Sequence, residues 1–218
     1  MDKNRRKAIP KKLQYLQQAV DDRKVTPIML IVCEGSATEP MYFNAVTKHL
    51  RLAAITVRRA KGSAPMTVVQ DAVASKLQRE QIANQSSSVA AYDQVWCVFD
   101  VDQHPKLRDA LALAEKHQIS VALSNPCFEF WLLLHFERFA ITGQSRSHIQ
   151  RELKRHIPKY RKGGNYGNLL LPCLSSAVKN AAHIWTAQWR TVAPTPCNVL
   201  SRNPSTLVHQ LIECLQPR

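Results

Sequence analysis

The sequence predicts an α/β protein: a parallel sheet of about four strands flanked by helices, followed by a C-terminal helical extension. Three observations carry this expectation. Four short apolar runs rich in branched residues are separated by segments whose apolar residues recur every three or four positions. That alternation is the pattern of strand–helix–strand crossovers in a parallel sheet. Beyond about residue 140 the strand-like runs stop and only helical spacing continues.

Taken in order, residues 1–26 form a basic segment with a short helix carrying Leu13, Leu16 and Val20 on one face. Residues 27–33, PIMLIVC, read as a strand buried on both faces. This run stops at Glu34 and Gly35, and Thr38 is a suitable N-cap for a helix turning Tyr42, Phe43 and Val46 inward. Residues 54–58 read as a second strand. Pro65 opens a helix with Val69, Val73 and Leu77 on one stripe, closed by the polar run at 84–88. The third strand, 94–99, runs into Asp100, Val101 and Asp102. A helix after Pro105 places Leu107, Ala110, Leu111 and Ala114 together, and residues 119–123 give the fourth strand.

Ser124 and Asn125 then read as the cap of a helix with Pro126 at its first position. That helix, through residues 128–136, is too apolar to be exposed on any face. It closes an α/β core spanning 27–139. The extension, 140–218, shows three helical stripes: Ile149, Leu153 and Ile157; Leu174, Val178 and Trp185; Leu207, Leu211 and Leu215. A glycine-rich loop at 163–167 interrupts them.

Composition narrows the function classes. The chain has 218 residues, enough to bury a sizeable core, and 45% of them are hydrophobic. No stretch approaches the roughly 18 uncharged apolar residues of a membrane span, so no membrane association is expected. The basic N-terminus lacks the apolar run of a signal peptide. The six cysteines, Cys33, Cys97, Cys127, Cys173, Cys197 and Cys214, contain no CxxC pair, which speaks against a zinc knuckle and for reduced thiols in cytoplasm.

Thirty Lys plus Arg against sixteen Asp plus Glu give a formal net charge of +14. That excess suits a polyanionic partner such as RNA or DNA, because neutralised phosphates release their counterions. The charge is clustered. One group is Lys3, Arg5, Arg6, Lys7, Lys11 and Lys12; another is Arg146, Arg151, Lys154, Arg155, Lys159, Arg161 and Lys162.

Acids stand where the apolar strands end. In open α/β sheets ligands bind beyond the carboxyl ends of the strands, where strand order reverses. A 2-1-3 winding would make the first and third strands neighbours and bring Glu34, Asp100 and Asp102 together. Asp100 and Asp102 share one face of an extended chain. Carboxylates gathered in this way repel unless a cation sits among them, and their hard oxygens suit Mg2+ or Mn2+. Such an ion polarises a phosphoryl oxygen and activates water. The competing reading is that the acids cap the following helices and face solvent.

Several blocks together resemble the RloB-like family: Cys33-Glu34-Gly35 with Thr38-Glu39 and Tyr42-Phe43, residues 99–105 (FDVDQHP), residues 124–136 (SNPCFEFWLLLHF) and residues 203–208 (NPSTLV). The resemblance implies a Toprim-type catalytic core, the fold shared by topoisomerase, primase and OLD-family nuclease domains. It also implies a bacterial protein associated with restriction–modification loci and anti-phage defence. Under it Glu34 is the Toprim glutamate, and Asp100 and Asp102 are the paired aspartates, so these three are the expected catalytic and metal-binding residues. Family members often carry a further acid where this chain has Gln103. Glu129, in the helix after the fourth strand, is either a compensating metal ligand or a helix N-terminal carboxylate favoured by the macrodipole.

Arg59 and Lys61 follow the second strand at the same edge and are expected phosphate contacts, as are Lys154, Arg155, Lys159 and Arg161, with the stretch from Arg146 to Lys162 expected on the carboxylate side. His104 reads as an exposed loop residue, His135 as a hydrogen-bonded core histidine, and Trp131 and Trp185 as core anchors. The expected function is a Mg2+- or Mn2+-dependent nuclease acting on RNA or DNA. No tyrosine stands beside the acids as the topoisomerase variant would need. The alternative is a non-catalytic nucleic-acid-binding or regulatory subunit beside a separate ATPase or other defence protein. The chain has no GxxxxGK[ST] segment, so any ATP dependence would come from that partner.

Overall fold

The computed structural model describes residues 27–101, 106–139 and 141–216. The basic N-terminal segment, with its cationic cluster, therefore lies outside the described residues, as do Asp102, Gln103, His104 and Pro105.

Four parallel strands form the centre: β1 (Met29–Cys33), β2 (Ile55–Arg59), β3 (Gln94–Asp100) and β4 (Ser120–Asn125). Between them run α1 (Thr38–His49), α2 (Pro65–Gln85) and α3 (Leu107–Lys116). The sheet order is β2-β1-β3-β4-β5, so the chain reverses its winding between β1 and β3. The expected α/β architecture and the 2-1-3 winding are both present.

The inner strands β1, β3 and β4 are buried without alternation because helices cover both faces, while the edge strand β2 stays partly exposed. Met29, Ile31 and Cys33 pack with Tyr42, Phe43 and Val46 of α1 in one layer. Their neighbours Leu30 and Val32 enter the other layer with Val68, Val69 and Ala72 of α2 and Ala110 and Leu111 of α3. At roughly 25 cal/mol per Å2 of apolar surface, burial in these two layers is the main force holding the sheet between its helices.

Helix α4 (Phe128–Leu133) is buried along its whole length, and the extension is what buries it. Helices α5 (Arg146–His156), α6 (Gly167–Leu170), α7 (Leu174–His183), α8 (Pro196–Val199) and α9 (Val208–Leu215) follow, with a π-helical turn at Ile184–Gln188. Ile149 and Leu153 of α5, Ala177 of α7, and Leu211 and Ile212 of α9 share one core with α4 and β1.

Three local expectations are corrected. The extension is not purely helical: Ser205–Thr206 forms β5, antiparallel to β4, with Asn125 opposite Ser205 and Ser124 opposite Thr206. Two polar residues leave no periodic signal. Ser124 and Asn125 do not cap α4, because both belong to β4. The Ser124 hydroxyl is hydrogen-bonded to that of Thr206 at 2.9 Å, and the Asn125 amide donates to the Val199 carbonyl at 2.9 Å. Helix α4 starts at Phe128, so Pro126 is not its first residue. Thr38 is the first residue of α1 and not its cap; its hydroxyl accepts from the Gly163 N–H at 3.0 Å, joining the extension to the core.

Trp131 and Trp185 are core residues, the latter donating its indole N–H to the Thr206 carbonyl at 3.1 Å. His135 is buried, 3.1 Å from both the Tyr42 hydroxyl and the Trp131 carbonyl, and burial pushes its imidazole down to about 4. None of the described helices is long and apolar enough to cross a membrane.

Candidate active site

Pairing of β1 with β3 sets the site. Cys33 lies opposite Val98, so β1 ends two residues before β3 does, and Glu34 follows directly. The Glu34 N–H donates to the Val98 carbonyl at 2.9 Å, which carries the ladder one step past β1. Its carboxylate then receives the N–H of Asp100 at 3.1 Å. Neighbouring parallel strands thus place these two acids side by side at the carboxyl edge, where sheet topology opens a ligand crevice.

Glu39 joins them from the first turn of α1 and is buried. Its carboxylate folds back over Gly35, so close that a Cβ at Gly35 would fall within it. The lack of a side chain at Gly35 is therefore what gives Glu39 its place. Burial raises the Glu39 carboxyl above the usual range; Glu129 adds to this, while its own backbone N–H, Lys162 and Arg146 oppose it.

Glu129, in the first turn of α4, is only 3% exposed. Its partners come from the extension. Gln150 donates its amide to Oε1 at 3.1 Å, Tyr160 its hydroxyl at 3.3 Å, and the Lys162 ammonium stands 4.0 Å away. The extension also supplies Arg146, the first residue of α5, whose guanidinium meets the Asp100 carboxylate at 3.1 Å. Asp100 is held well above the ordinary aspartate range. Burial is the largest cause, Arg146 opposes it, and Glu39, Glu34 and Glu129 reinforce it.

The four acids, Arg146 and Lys162 line a cleft of about 380 Å3, with Arg59, Ser63 and Thr38 on its rim. Glu34, Asp100 and Glu129 are brought to this one cleft, and Arg59 lines it. Lys61 does not: its exposed ammonium lies 4.0 Å from Asp71, and its N–H donates to the same carboxylate. Lys154, Arg155, Lys159 and Arg161 are exposed but lie off the cleft, and Arg155 is paired with Glu152 at 2.8 Å. Of the basic stretch, its first and last members, Arg146 and Lys162, are the ones that reach the acids. Asp102 lies outside the described residues.

Sequence reasoning missed Glu39, Gln150 and Tyr160 as parts of the site, and the expectation that no tyrosine stands beside the acids is corrected by the Tyr160 hydroxyl, which donates to Glu129. The signal for Glu39 was its position one helical turn beyond a strand-end acid and a glycine. Gln150 and Tyr160 carried none, since only tertiary packing of the extension brings them to Glu129.

The donor chemistry fits a hard divalent cation: carboxylate oxygens converge at one edge, and two of them already hold cationic side chains. The spacing is less complete. Among the described residues no three His, Cys, Asp or Glu side chains are gathered closely enough to share one ion. Glu34 and Asp100 are the adjoining pair that would hold it.

No curated protein matches the chain, and no solved structure does. A family model described as RloB-like protein matches residues 29–215, which takes in all five strands, the acidic cleft and the extension that supplies its cations; the chain belongs to the RloB-like family.

Proposed function

We propose that this protein is a metal-dependent nuclease of the Toprim type, hydrolysing phosphodiester bonds of RNA or DNA in bacterial anti-phage defence. The observation that carries the reading is the joining of Glu34 to Asp100 at the carboxyl edge of β1 and β3, with Glu39 and Glu129 in the same cleft. Glu34 and Asp100 would hold a Mg2+ or Mn2+ ion, with Asp102 as the second aspartate of the pair. When bound there, the ion supplies Lewis-acid polarisation of a phosphate oxygen and activation of water.

The protein's own groups account for binding and orientation. Arg59 and Lys162, both exposed at the cleft, suit the non-bridging oxygens of a phosphate. Gly35 leaves the room in which the Glu39 carboxylate sits beside Glu34. Gln150 and Tyr160 fix Glu129 in one orientation. The outer cations of α5 and the following loop extend the positive surface along which a strand lies.

A second reading has an observation of its own. Arg146 already neutralises Asp100, and no three described acids gather around one point. A non-catalytic nucleic-acid-binding or regulatory subunit, working beside a separate ATPase or effector, would look like this. The two readings part in a nuclease assay on RNA and DNA with Mg2+ or Mn2+, run beside Asp100→Asn. Metal-dependent cutting lost in the variant supports the nuclease. Equal background from both proteins supports the subunit.

A further inference from the structure

We propose that Arg146 is an exchangeable counter-ion: its guanidinium occupies Asp100 until a divalent cation takes the carboxylate, so that arginine and metal compete for one group. This rests on the metal-dependent reading above.

The geometry motivates exchange in preference to a permanent ion pair. Asp100 is buried beside three other carboxylates, so its charged form needs a cation close by. Arg146 provides one at 3.1 Å, reaching in from the extension and not from the core that carries the acids. Its backbone is fixed. Ser145 caps α5 by accepting the His148 N–H at 3.2 Å, and Ile149, one turn along, is fully buried. The side chain is 35% exposed and reaches the cleft from solvent. A long arginine on an anchored helix start can turn outward without unpacking α5.

Displacement of the arginine with nothing in its place would leave Asp100 unpaired among like charges, so departure of Arg146 and arrival of a cation are linked. The same logic explains why the described acids do not close around a point: the Asp100 carboxylate is engaged by α5. Lys162 stands in a looser relation to Glu129, at 4.0 Å, and is the weaker competitor.

The test is Mn2+ binding by isothermal titration calorimetry to wild type, Arg146→Gln and Arg146→Lys, with thermal melts of each in chelator and in saturating Mn2+. Removing a partly exposed ion pair should tighten Mn2+ binding by about two- to fivefold in Arg146→Gln. Arg146→Lys, which keeps the charge, should stay near wild type. Arg146→Gln should melt below wild type in chelator, and Mn2+ should close that gap. If wild type binds Mn2+ and Arg146→Gln binds it no tighter, the exchange is wrong while the metal-dependent reading stands. A melting gap of equal size with and without Mn2+ makes Arg146 a structural partner only and also overturns the exchange. If no protein of the three takes up Mn2+, both the exchange and the metal-dependent reading fall.

Discussion

The backbone N–H of Asp100 donates to the side chain of Glu34 at 3.1 Å, although 66 residues separate them in the chain. A carboxylate bonded to a peptide N–H has one oxygen oriented by the sheet itself, so the β1–β3 pairing aims Glu34 as well as placing it. The other acids of the cleft are aimed differently: Glu39 by the space above Gly35, Glu129 by Gln150 and Tyr160, and Asp100 by Arg146.

The Gly35 contact gives a direct prediction. In Gly35→Ala the new methyl group must displace the Glu39 carboxylate, the mobile end of a side chain, while the backbone stays in place. Stability should therefore change little, by less than about 1 kcal/mol, as for substitutions that spare the packed core. Metal-dependent cleavage should fall sharply, because the cleft loses one acid and gains a methyl group. Urea denaturation alongside the nuclease assay separates the two. A large loss of stability would show that Gly35 serves the fold and not the site.

Glu39 itself should cost stability. Its carboxyl is raised by burial above the usual range, so its charged form is less stable in the folded protein than in the unfolded chain. The sign follows from linkage: the penalty is present when the group is ionised in the fold, and it disappears as pH falls and the group protonates. Glu39→Gln should therefore melt above wild type at pH 7 in chelator, and the two should converge toward acid pH. A lower melting temperature for Glu39→Gln at pH 7 would mean that a partner of the carboxylate outweighs its burial.

Much of this arrangement was legible in the sequence, for physical reasons. Strands buried on both faces must be apolar runs, so β1, β3 and β4 announce themselves, and an acid directly after such a run marks the sheet edge. Glu34 and Asp100 are legible in this way, whereas Glu129 is legible only by its place in the first turn of the helix after β4. Short-range polar pairing is silent in the pattern. Ser205 and Thr206 become a strand only because Ser124 and Asn125 are free to accept them at the edge of β4. The basic stretch was visible as charge, yet which of its members meet the acids depends on where α5 begins and on the turn after Tyr160. Helical rotation points Arg146 into the cleft and leaves Lys154 and Arg155 in solvent.

Acid pH should destabilise the fold through two histidines. Burial lowers His135 and His209 to about 4 from 6.5. Below 6.5 the unfolded chain takes up protons that these buried rings refuse, so stability falls as pH drops and the loss is complete near pH 4. Each ring can account for roughly 3 kcal/mol at the acid end of that window, as an upper estimate. The raised Glu39 and Asp100 carboxyls work in the opposite direction, so the check is a difference: from pH 7 to pH 4 the denaturation midpoint of His135→Gln should rise relative to wild type. A parallel pair of curves would remove His135 from the account and leave His209, whose Nδ1 has no partner among the described residues.

The last expectation separates the cleft's cations from those outside it. Arg59 and Lys162 line the cleft, whereas Lys154, Arg155, Lys159 and Arg161 are exposed away from it, with Arg155 engaged by Glu152. Each cation that meets a phosphate releases counterions, so losing one should lower the slope of log K against log salt by about 0.7 for single strands or 0.9 for duplex. Charge reversal of Arg59 and Lys162 together should then lower the slope by about 1.4 to 1.8. Reversal of the four outer residues should lower it by less than four full contacts, because Arg155 already has an acidic neighbour. Fluorescence anisotropy of a labelled oligonucleotide across a salt series, in chelator so that no cleavage intervenes, measures both slopes. If the outer variant keeps the wild-type slope while the cleft variant loses its share, the nucleic acid is held by the cleft's cations alone, and α5 contributes only through Arg146. If the cleft variant keeps the wild-type slope, Arg59 and Lys162 do not touch phosphate, and the cleft loses its role as the place where a strand lies.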